Sequence, residues 1–134
     1  MTYTFISPIV VTMPRKTMKD KKRYLNLNNY RNWNFIISNN IKRAYTELMT
    51  LAYPQKFKQL KKVKIDYYLY KRNKRHSDLN NIVTVVDKFF QDYLVKVNVI
   101  EDDTTEFVTE THNYYKGLDE NKLGYIEIVV TEIK

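Results

Sequence analysis

The chain has 134 residues, no cysteine and a net charge of +8. Its length suits one domain with its own core, which we place at residues 1–134, and is too short for two independent cores. The lack of cysteine excludes disulfides, thiolate metal sites and cysteine nucleophiles, and it fits a reducing cytosol. The apolar segment at residues 1–13 is interrupted by Pro8 and is shorter than the roughly 20 residues of a membrane span. We therefore expect a soluble cytoplasmic protein with no membrane contact.

The charge is divided unevenly along the chain. Residues 1–75 hold 18 Lys and Arg against 3 Asp and Glu, whereas residues 76–134 hold 5 against 12. A basic half attracts phosphate polyanions because binding releases their counterions, and an adjacent carboxylate-rich half is what cation-dependent phosphodiester chemistry requires. The alternative is a basic surface and an acidic surface that only keep the protein soluble.

The first elements in chain order are a strand and a loop. Residues 3–13 are rich in β-forming side chains, and Pro8 within them indicates an edge strand or a bulge. The basic segment at residues 14–23 has no apolar pattern, which predicts a loop.

A long amphipathic helix is predicted next. Asn28 or Asn29 can cap it, because a short amide side chain accepts hydrogen bonds from the first turn. The helix ends before Pro54, and its apolar residues recur at steps of three or four. These residues are Tyr30, Trp33, Ile37, Ile41, Ala44, Leu48 and Leu51. We assign Trp33 to the core rather than to base stacking.

A strand and a second helix follow. Alternation over residues 63–70 predicts a strand with Val63, Ile65, Tyr67 and Leu69 facing inward. Asp78 stands where the N-cap of the second helix belongs. The apolar face of that helix comprises Leu79, Ile82, Val83, Val86, Phe90, Tyr93, Leu94 and Val97. Its solvent face comprises Asn80, Asn81, Thr84, Asp87, Lys88 and Gln91.

Two further strands are predicted at about residues 104–112 and 125–133. The element order is then β-α-β-α-β-β. This order predicts an α+β domain with two helices packed on one face of a small mixed sheet.

The acidic residues that could serve a metal are Asp78, Asp87 and the pair Asp102-Asp103. Hydrolysis of a phosphodiester requires neutralised phosphate charge and an activated water, and carboxylates that hold Mg²⁺ supply both. Each acid also has a structural interpretation, since Asp78 can be a helix cap and Asp102-Asp103 a solvated turn.

The order of motifs in the second half resembles that of the RusA family of Holliday junction resolvases. In that family a strand and a basic run precede Asp-Leu-Asp-Asn at the start of a helix, an Asp-Asp pair follows, and a later strand ends in Thr-Glu. The matching segments here are Val63-Lys64-Ile65, the basic run at 71–75, Asp78-Leu79-Asn80-Asn81, Asp92, Asp102-Asp103, Ile126-Glu127-Ile128 and Thr131-Glu132. The resemblance covers residues 59–134, and before residue 59 it is limited to the order of elements.

The resemblance implies a homodimeric endonuclease that depends on Mg²⁺, or on Mn²⁺, and cleaves branched DNA in recombination, repair or phage DNA processing. It implies Asp78 and Asp103 as the main metal ligands and catalytic acids, with Asp102 close by. The richness in Asn, Lys, Ile and Tyr suits an AT-rich bacterial or phage genome.

Two departures from the family pattern concern the helix. Asn80 replaces the second metal-binding aspartate and offers a single carbonyl oxygen to a cation. Lys88 takes the place of the catalytic lysine when residues are counted backward from Asp92. Asp87 lies on the helix face of Asn80 and Thr84, and we hypothesise that it supplies the carboxylate that Asn80 lacks. The alternative is that Asp87 is a solvated charge.

DNA binding is assigned to two basic clusters and one amide. The first cluster is Lys71, Arg72, Lys74 and Arg75, together with Asn81 of the helix-start motif. The second is a mobile arm formed by Arg15, Lys16, Lys19, Lys21, Lys22 and Arg23. Two other functions stay open: a catalytically weakened or inactive dimer that binds branched DNA, and an RNA-binding or interaction module unrelated to the resolvases.

Overall fold

The fold is built on a four-stranded mixed sheet with helices on one side. A computed structural model of the chain describes residues 1–14 and 18–133. The elements in that part are β1 (Thr2–Pro8), β2 (Val10–Met13), β3 (Lys21–Tyr24), α1 (Leu27–Tyr30), α2 (Phe35–Ala52), β4 (Val63–Lys71), α3 (Leu79–Lys96), β5 (Val108–Leu118) and β6 (Tyr125–Glu132).

The strand order of the sheet is β1-β6-β4-β5. β6 pairs antiparallel with both β1 and β4, whereas β5 runs parallel to β4. Parallel neighbours need a crossover connection, and α3 provides it. β1 lies at the edge of the sheet and Pro8 is its last residue, which agrees with the predicted edge position because an edge tolerates the missing N–H. The β-rich segment predicted at residues 3–13 is instead two strands, since Val10–Met13 forms β2 and pairs with β3 in a separate two-stranded sheet.

The core lies between the sheet and the helices α2 and α3. Val63, Ile65, Tyr67 and Leu69 of β4 are all buried, so the predicted alternation is confirmed. The ring of Phe5 on β1 contacts rings from the helix side, among them Tyr53 at 5.0 Å and Phe90 at 5.2 Å between centroids. The α+β class with a mixed sheet is therefore confirmed.

The predicted helix from residue 28 to 53 is instead two helices. The side chain of Asn26 accepts a hydrogen bond from the Asn29 N–H, and the side chain of Asn34 accepts one from the Ile37 N–H, each at 2.9 Å. A second cap starts a new helix with its own phase. The apolar stripe is consequently shifted: Tyr45 is buried, whereas Leu51 is 80% exposed.

The predicted loop at residues 14–23 is wrong at its C-terminal end. Lys21–Tyr24 forms β3, which pairs antiparallel with β2. The two strands are consecutive, but the charged residues of β3 show no apolar alternation, so the sequence pattern misses the strand. Arg15 and Lys16 lie outside the described residues.

The helix α3 is covered over a wider arc than predicted. Val85 and Phe89 are buried in addition to the expected stripe, and Asn81, Thr84, Asp87 and Gln91 of the predicted solvent face are half-buried. Both flanks of α3 contact other elements at its first turn. Asn81 accepts a hydrogen bond from the Leu27 N–H of α1, and Asn80 accepts one from Asn113 of β5. The strand β5 also begins later than predicted and ends at Leu118.

The second face of the sheet, which we call the open face, carries alternate residues of all four strands. In register these are Thr2, Thr4, Ile6, Tyr125, Glu127, Val129, Thr131, Lys64, Asp66, Tyr68, Tyr70, Glu110, His112 and Tyr114. No helix of the described residues is long and apolar enough to cross a membrane.

Candidate nucleic-acid interface

A polar cleft of about 460 Å³ lies where the end of β3, the helix α1, the loop after β4 and the start of α3 meet. We call it the basic cleft. It is lined by Ile9, Tyr24, Leu25, Asn26, Asn28, Asn29, Lys71, Arg72, Asn73, Arg75, His76, Ser77, Asn81 and Ile82. Three of the predicted DNA-binding cations, Lys71, Arg72 and Arg75, therefore share one cavity.

Arg72 joins the loop after β4 to Tyr24 at the end of β3. Its guanidinium carbon lies 4.3 Å from the centroid of the Tyr24 ring, and its Nη1 donates to the Tyr24 hydroxyl at 3.4 Å. A guanidinium stacked on a ring keeps most of its N–H groups free for a ligand. The contact joins residues 48 positions apart and brings the end of β3 against the loop after β4.

The loop after β4 is shaped by its own polar contacts. The Asn73 side chain accepts a hydrogen bond from the Arg75 N–H at 3.0 Å, which is a local turn that amide side chains favour. The Lys71 ammonium donates to the Arg75 carbonyl. These contacts hold Lys71 and Arg75 on the same side of the loop.

The other predicted DNA-binding cations among the described residues do not line the cleft. Lys74 is exposed in the same loop, and Lys21 and Lys22 are exposed on β3, while Arg23 is half-buried there. Asn81 lines the cleft, and its carbonyl oxygen already accepts the Leu27 N–H at 3.2 Å. Its NH₂ group is the part that remains for a ligand.

Asp78 and Asn80 line a shallow depression next to the cleft, with Asn28 and Arg31 opposite. Asp78 occupies the N-cap position of α3 but its side chain makes no capping hydrogen bond, so its exposed carboxylate is not committed to the helix. The carbonyl oxygen of Asn80 accepts a hydrogen bond from Asn113 at 2.8 Å. That oxygen is the only ligand atom Asn80 could give a cation.

Asp87 faces the sheet. Its carboxylate accepts hydrogen bonds from the Tyr67 hydroxyl and from Gln91 Nε2, the latter at 2.8 Å. Burial, and after it the charge of Asp87, raises the pKa of Tyr67 well above its usual value. In this position Asp87 satisfies the buried Tyr67 hydroxyl.

Lys88 lies on the flank of α3 that faces α1 and α2. Its ammonium is 6.0 Å from the centroid of the Tyr30 ring, beside an ion pair of 3.1 Å between Lys42 and Asp92. Ten residues separate Lys88 from Asp78, which is about 15 Å along a helix axis. The structure therefore does not bring these two predicted catalytic residues together.

Asp102 and Asp103 lie in the turn after α3. The Asp103 N–H donates to the Asp102 carboxylate at 2.8 Å. Desolvation, followed by the side chain of Asp102 and the charge of Asp92, raises the pKa of Asp103. The 18 residues of α3, about 27 Å along the helix axis, lie between Asp78 and Asp103 in the chain.

One chain does not assemble the predicted metal site. The proposed ligands are divided between the two ends of α3, and within residues 1–14 and 18–133 no group of three or more acidic or histidine side chains could hold a metal ion. The donor set of a single chain therefore does not fit a resident Mg²⁺.

Sequence reasoning missed several residues that line the cleft. Tyr24, Asn26, Asn28, Asn29 and His76 all contribute to its walls. The run Asn26-Leu27-Asn28-Asn29 was the available signal, because amides concentrated beside a basic segment are typical of phosphate and base recognition.

The chain matches no protein-family model, and none of the curated proteins matches it significantly.

Proposed function

We propose that this protein binds DNA through the basic cleft, with branched DNA such as a four-way junction as its substrate. The observation that supports the proposal is the convergence of β3 and the loop after β4, joined by Arg72 and Tyr24, on one cavity lined by cations and amides. The preference for branched DNA rests on the resemblance to the RusA family.

The chemistry of the cleft suits a nucleotide backbone. Lys71 and Arg75 supply cations for phosphate oxygens, and Asn26, Asn28 and Asn81 supply amides that can read base edges or the sugar. A volume of about 460 Å³ is in the range of small-ligand sites. It admits a phosphate or one unstacked nucleotide rather than a duplex, and a branch point offers such groups.

The test compares two double variants in binding to a fluorescent four-way junction without divalent cations. Lys71→Gln/Arg75→Gln removes two cations from the cleft. Lys61→Gln/Lys62→Gln removes two exposed cations that precede β4, at the opposite end of that strand. We expect about tenfold or greater loss of affinity in the first variant only, because direct phosphate contacts dominate affinity.

Two results would contradict the proposal. One is an equal loss of affinity in both double variants, which would mean that only net charge attracts the DNA. The other is tighter binding to duplex RNA of equal length than to the junction, which would favour the RNA-binding alternative.

A second candidate function is Mg²⁺- or Mn²⁺-dependent cleavage of the bound junction, as in the resembled family. The observation that favours it is the exposed carboxylate of Asp78, which does not cap α3 and lies beside the cleft. Two features favour binding without cleavage. Asn80 stands where the family has a metal-binding aspartate, and the helix α3 separates Asp78 from Asp103.

Cleavage is tested on the same junction with Mg²⁺ or Mn²⁺ added, for the parent, Asp103→Asn and Asn80→Asp. Paired nicks that disappear in Asp103→Asn would establish a resolvase. Nicks only in Asn80→Asp would identify a binding protein with a disabled site, and their absence from all three proteins would leave binding as the function.

A further inference from the structure

A groove runs along the seam between α2 and α3, and we call it the helix groove. It consists of two adjoining depressions of about 310 Å³ and 280 Å³, and Asn39, Lys42 and Asp92 line both of them. On α3 the residues Lys88, Asp92 and Lys96 line the groove at steps of four, which places them on one face of the helix. The groove is therefore a continuous feature of two packed helices.

The short helix α1 connects the helix groove to the basic cleft. Asn28 lines both the cleft and a neighbouring depression that also contains Arg31. Tyr30, the last residue of α1, lines the helix groove. Because α1 is a single turn of four residues, it is only about 6 Å long. A chain of nucleotides that leaves the cleft over α1 is thus led into the groove.

The groove offers an aromatic ring that the core does not use. Phe35 is the first residue of α2, lines the groove and is 74% exposed. Trp33 beside it is half-buried and packs against the core. On the open face, by contrast, Tyr68 and Tyr114 stack on each other at 5.0 Å, so each ring covers a face of the other. A base needs a free ring face, and Phe35 provides one.

The charge of the groove suits a polyanion. Lys42 and Asp92 form an ion pair of 3.1 Å across it, so their charges largely cancel. Lys88 stands on one side of this pair, and Arg43 and Lys96 stand on the other. Within the described residues none of these three cations is paired with a carboxylate. The first turn of α2, which lines the groove, contains no acidic residue, so the helix dipole adds to the attraction of a phosphate.

We propose that the helix groove binds a single strand of DNA that leaves the branch point held in the basic cleft. Phe35 stacks on a base of this strand, and Lys88, Arg43 and Lys96 contact its phosphates. A duplex hides the faces of its bases, so only an unpaired strand can use the Phe35 ring. The proposal rests on the function proposed for the cleft, because the cleft positions the branch from which the strand emerges.

The length of the groove predicts the number of nucleotides that it holds. Asn81 lines the cleft and Lys96 lines the far end of the groove, and the helix between them rises about 22 Å. A stacked strand advances about 3.4 Å per nucleotide. The path from the cleft to the end of the groove therefore holds about six nucleotides, which is within the range of single-strand sites.

The test measures the affinity of the full chain for two fluorescent branched DNAs. They differ only in a single-stranded tail of about ten nucleotides at the branch point, which is prepared in either polarity. In the parent the tail should tighten binding about tenfold or more in one polarity, which is the gain expected from one stacked base and its phosphates.

Variants of Phe35 assign this gain to the groove. Phe35→Ala should remove most of the gain and leave the affinity for the untailed DNA unchanged, whereas Phe35→Trp should retain the gain because it keeps a ring. Leu51→Ala is the matched control. Leu51 is an apolar residue of α2 that is 80% exposed and does not line the groove, so its loss should leave the gain intact.

A second measurement concerns the phosphates. Lys88→Gln should lower the slope of log affinity against log salt by about 0.7 for the tailed DNA, which is the value for one contact to a single strand. Lys61→Gln, which removes an exposed lysine outside the groove, should leave the slope unchanged.

Several outcomes would overturn the proposal. They are a tail that adds no affinity in either polarity, an equal loss of the gain in Phe35→Ala and Leu51→Ala, and photo-crosslinks from iodouracil in the tail to Tyr114 of the open face instead of Phe35. Failure of the function proposed for the cleft has a different signature, because the parent would then not bind the untailed branched DNA.

Discussion

At the scale of single residues, two buried tyrosine hydroxyls differ in their partners. The Tyr45 hydroxyl is hydrogen-bonded to Ser7 Oγ at 2.7 Å, and Ser7 Oγ donates to the Pro8 carbonyl at 2.9 Å. The Tyr93 hydroxyl is buried and has no partner within the described residues. Burial raises the pKa of Tyr93 to about 12 and also raises the pKa of Tyr45 above its usual value, so both hydroxyls stay protonated at neutral pH.

Removal of each hydroxyl should therefore change the free energy of unfolding differently. Tyr45→Phe should lower the free energy of unfolding by about 1 to 2 kcal/mol, because Ser7 loses its buried partner. Tyr93→Phe should leave the free energy of unfolding unchanged or raise it by up to about 1 kcal/mol, since a desolvated hydroxyl is removed. Urea denaturation of both variants measures the difference. A larger loss in Tyr93→Phe would mean that its hydroxyl has a partner in solution.

At the scale of elements, the connection from β5 to β6 is held by one carboxylate. Asp119 accepts hydrogen bonds from the backbone N–H groups of Asn121 at 3.0 Å, Leu123 at 3.1 Å and Gly124 at 2.9 Å. Gly124 has φ +76°, and a Cβ there would lie 2.4 Å from Ile9 Cδ1. The turn thus depends on a charge acceptor and on one glycine.

The pH dependence of this turn follows from the pKa of Asp119. Hydrogen bonds from the backbone N–H groups of Asn121, which contributes most, and of Gly124 and Leu123 lower this pKa below its usual value. When the pKa of a carboxyl group is lower in the folded state than in the unfolded state, its ionised form stabilises the fold at pH values above the unfolded-state pKa. This stabilisation is lost as the pH falls through the folded-state pKa.

Asp119→Ala should therefore lower the melting temperature at neutral pH, and the difference from the parent should shrink as the pH falls below about 3.9. Thermal melts from neutral to acidic pH measure it. The control is Glu120→Ala, an exposed neighbour, which should cause a smaller change. A difference that persists undiminished at the lowest pH would show that the carboxylate charge is not what holds the turn.

At the scale of the whole molecule, the basic cleft and the Asp102-Asp103 pair lie at different ends of the sheet. The basic cleft lies beyond the end of β4, whereas Asp102 and Asp103 lie in the connection that leads to the start of β5. Since β4 and β5 are parallel, the start of β5 is at the opposite end from the cleft. Asp102 and Asp103 therefore do not repel a phosphate bound in the cleft at close range.

The salt dependence of binding should report the number of phosphate contacts in the cleft. Each contact adds about 0.9 to the slope of log affinity against log salt for duplex DNA. Lys71→Gln/Arg75→Gln should reduce the slope by about 2, and Lys61→Gln/Lys62→Gln should not change it. Titrations at four or more salt concentrations measure both slopes. Equal slopes in the two double variants would place the phosphates elsewhere.

Much of the fold could be predicted from local patterns. The inward residues of β4 and the start of α3 after Asp78 agree with the structure, because a period of two or of three to four is set by neighbouring residues. The break between α1 and α2 was missed, since apolar spacing continues across it while Asn34 begins a second helix. The strand β3 was missed because its residues are mostly charged and show no apolar alternation, although it pairs with the preceding strand β2.

The candidate site shows the same division. The sequence by itself determined which residues are cationic, where they cluster and that Asn80 stands in an otherwise acidic motif. Only the tertiary structure decided that β3 joins the loop after β4 at the basic cleft, that Asp87 faces Tyr67, and that α3 separates Asp78 from Asp103. The reason is that residue chemistry and periodicity are local properties, whereas proximity between distant segments depends on strand order and on the direction in which each helix runs.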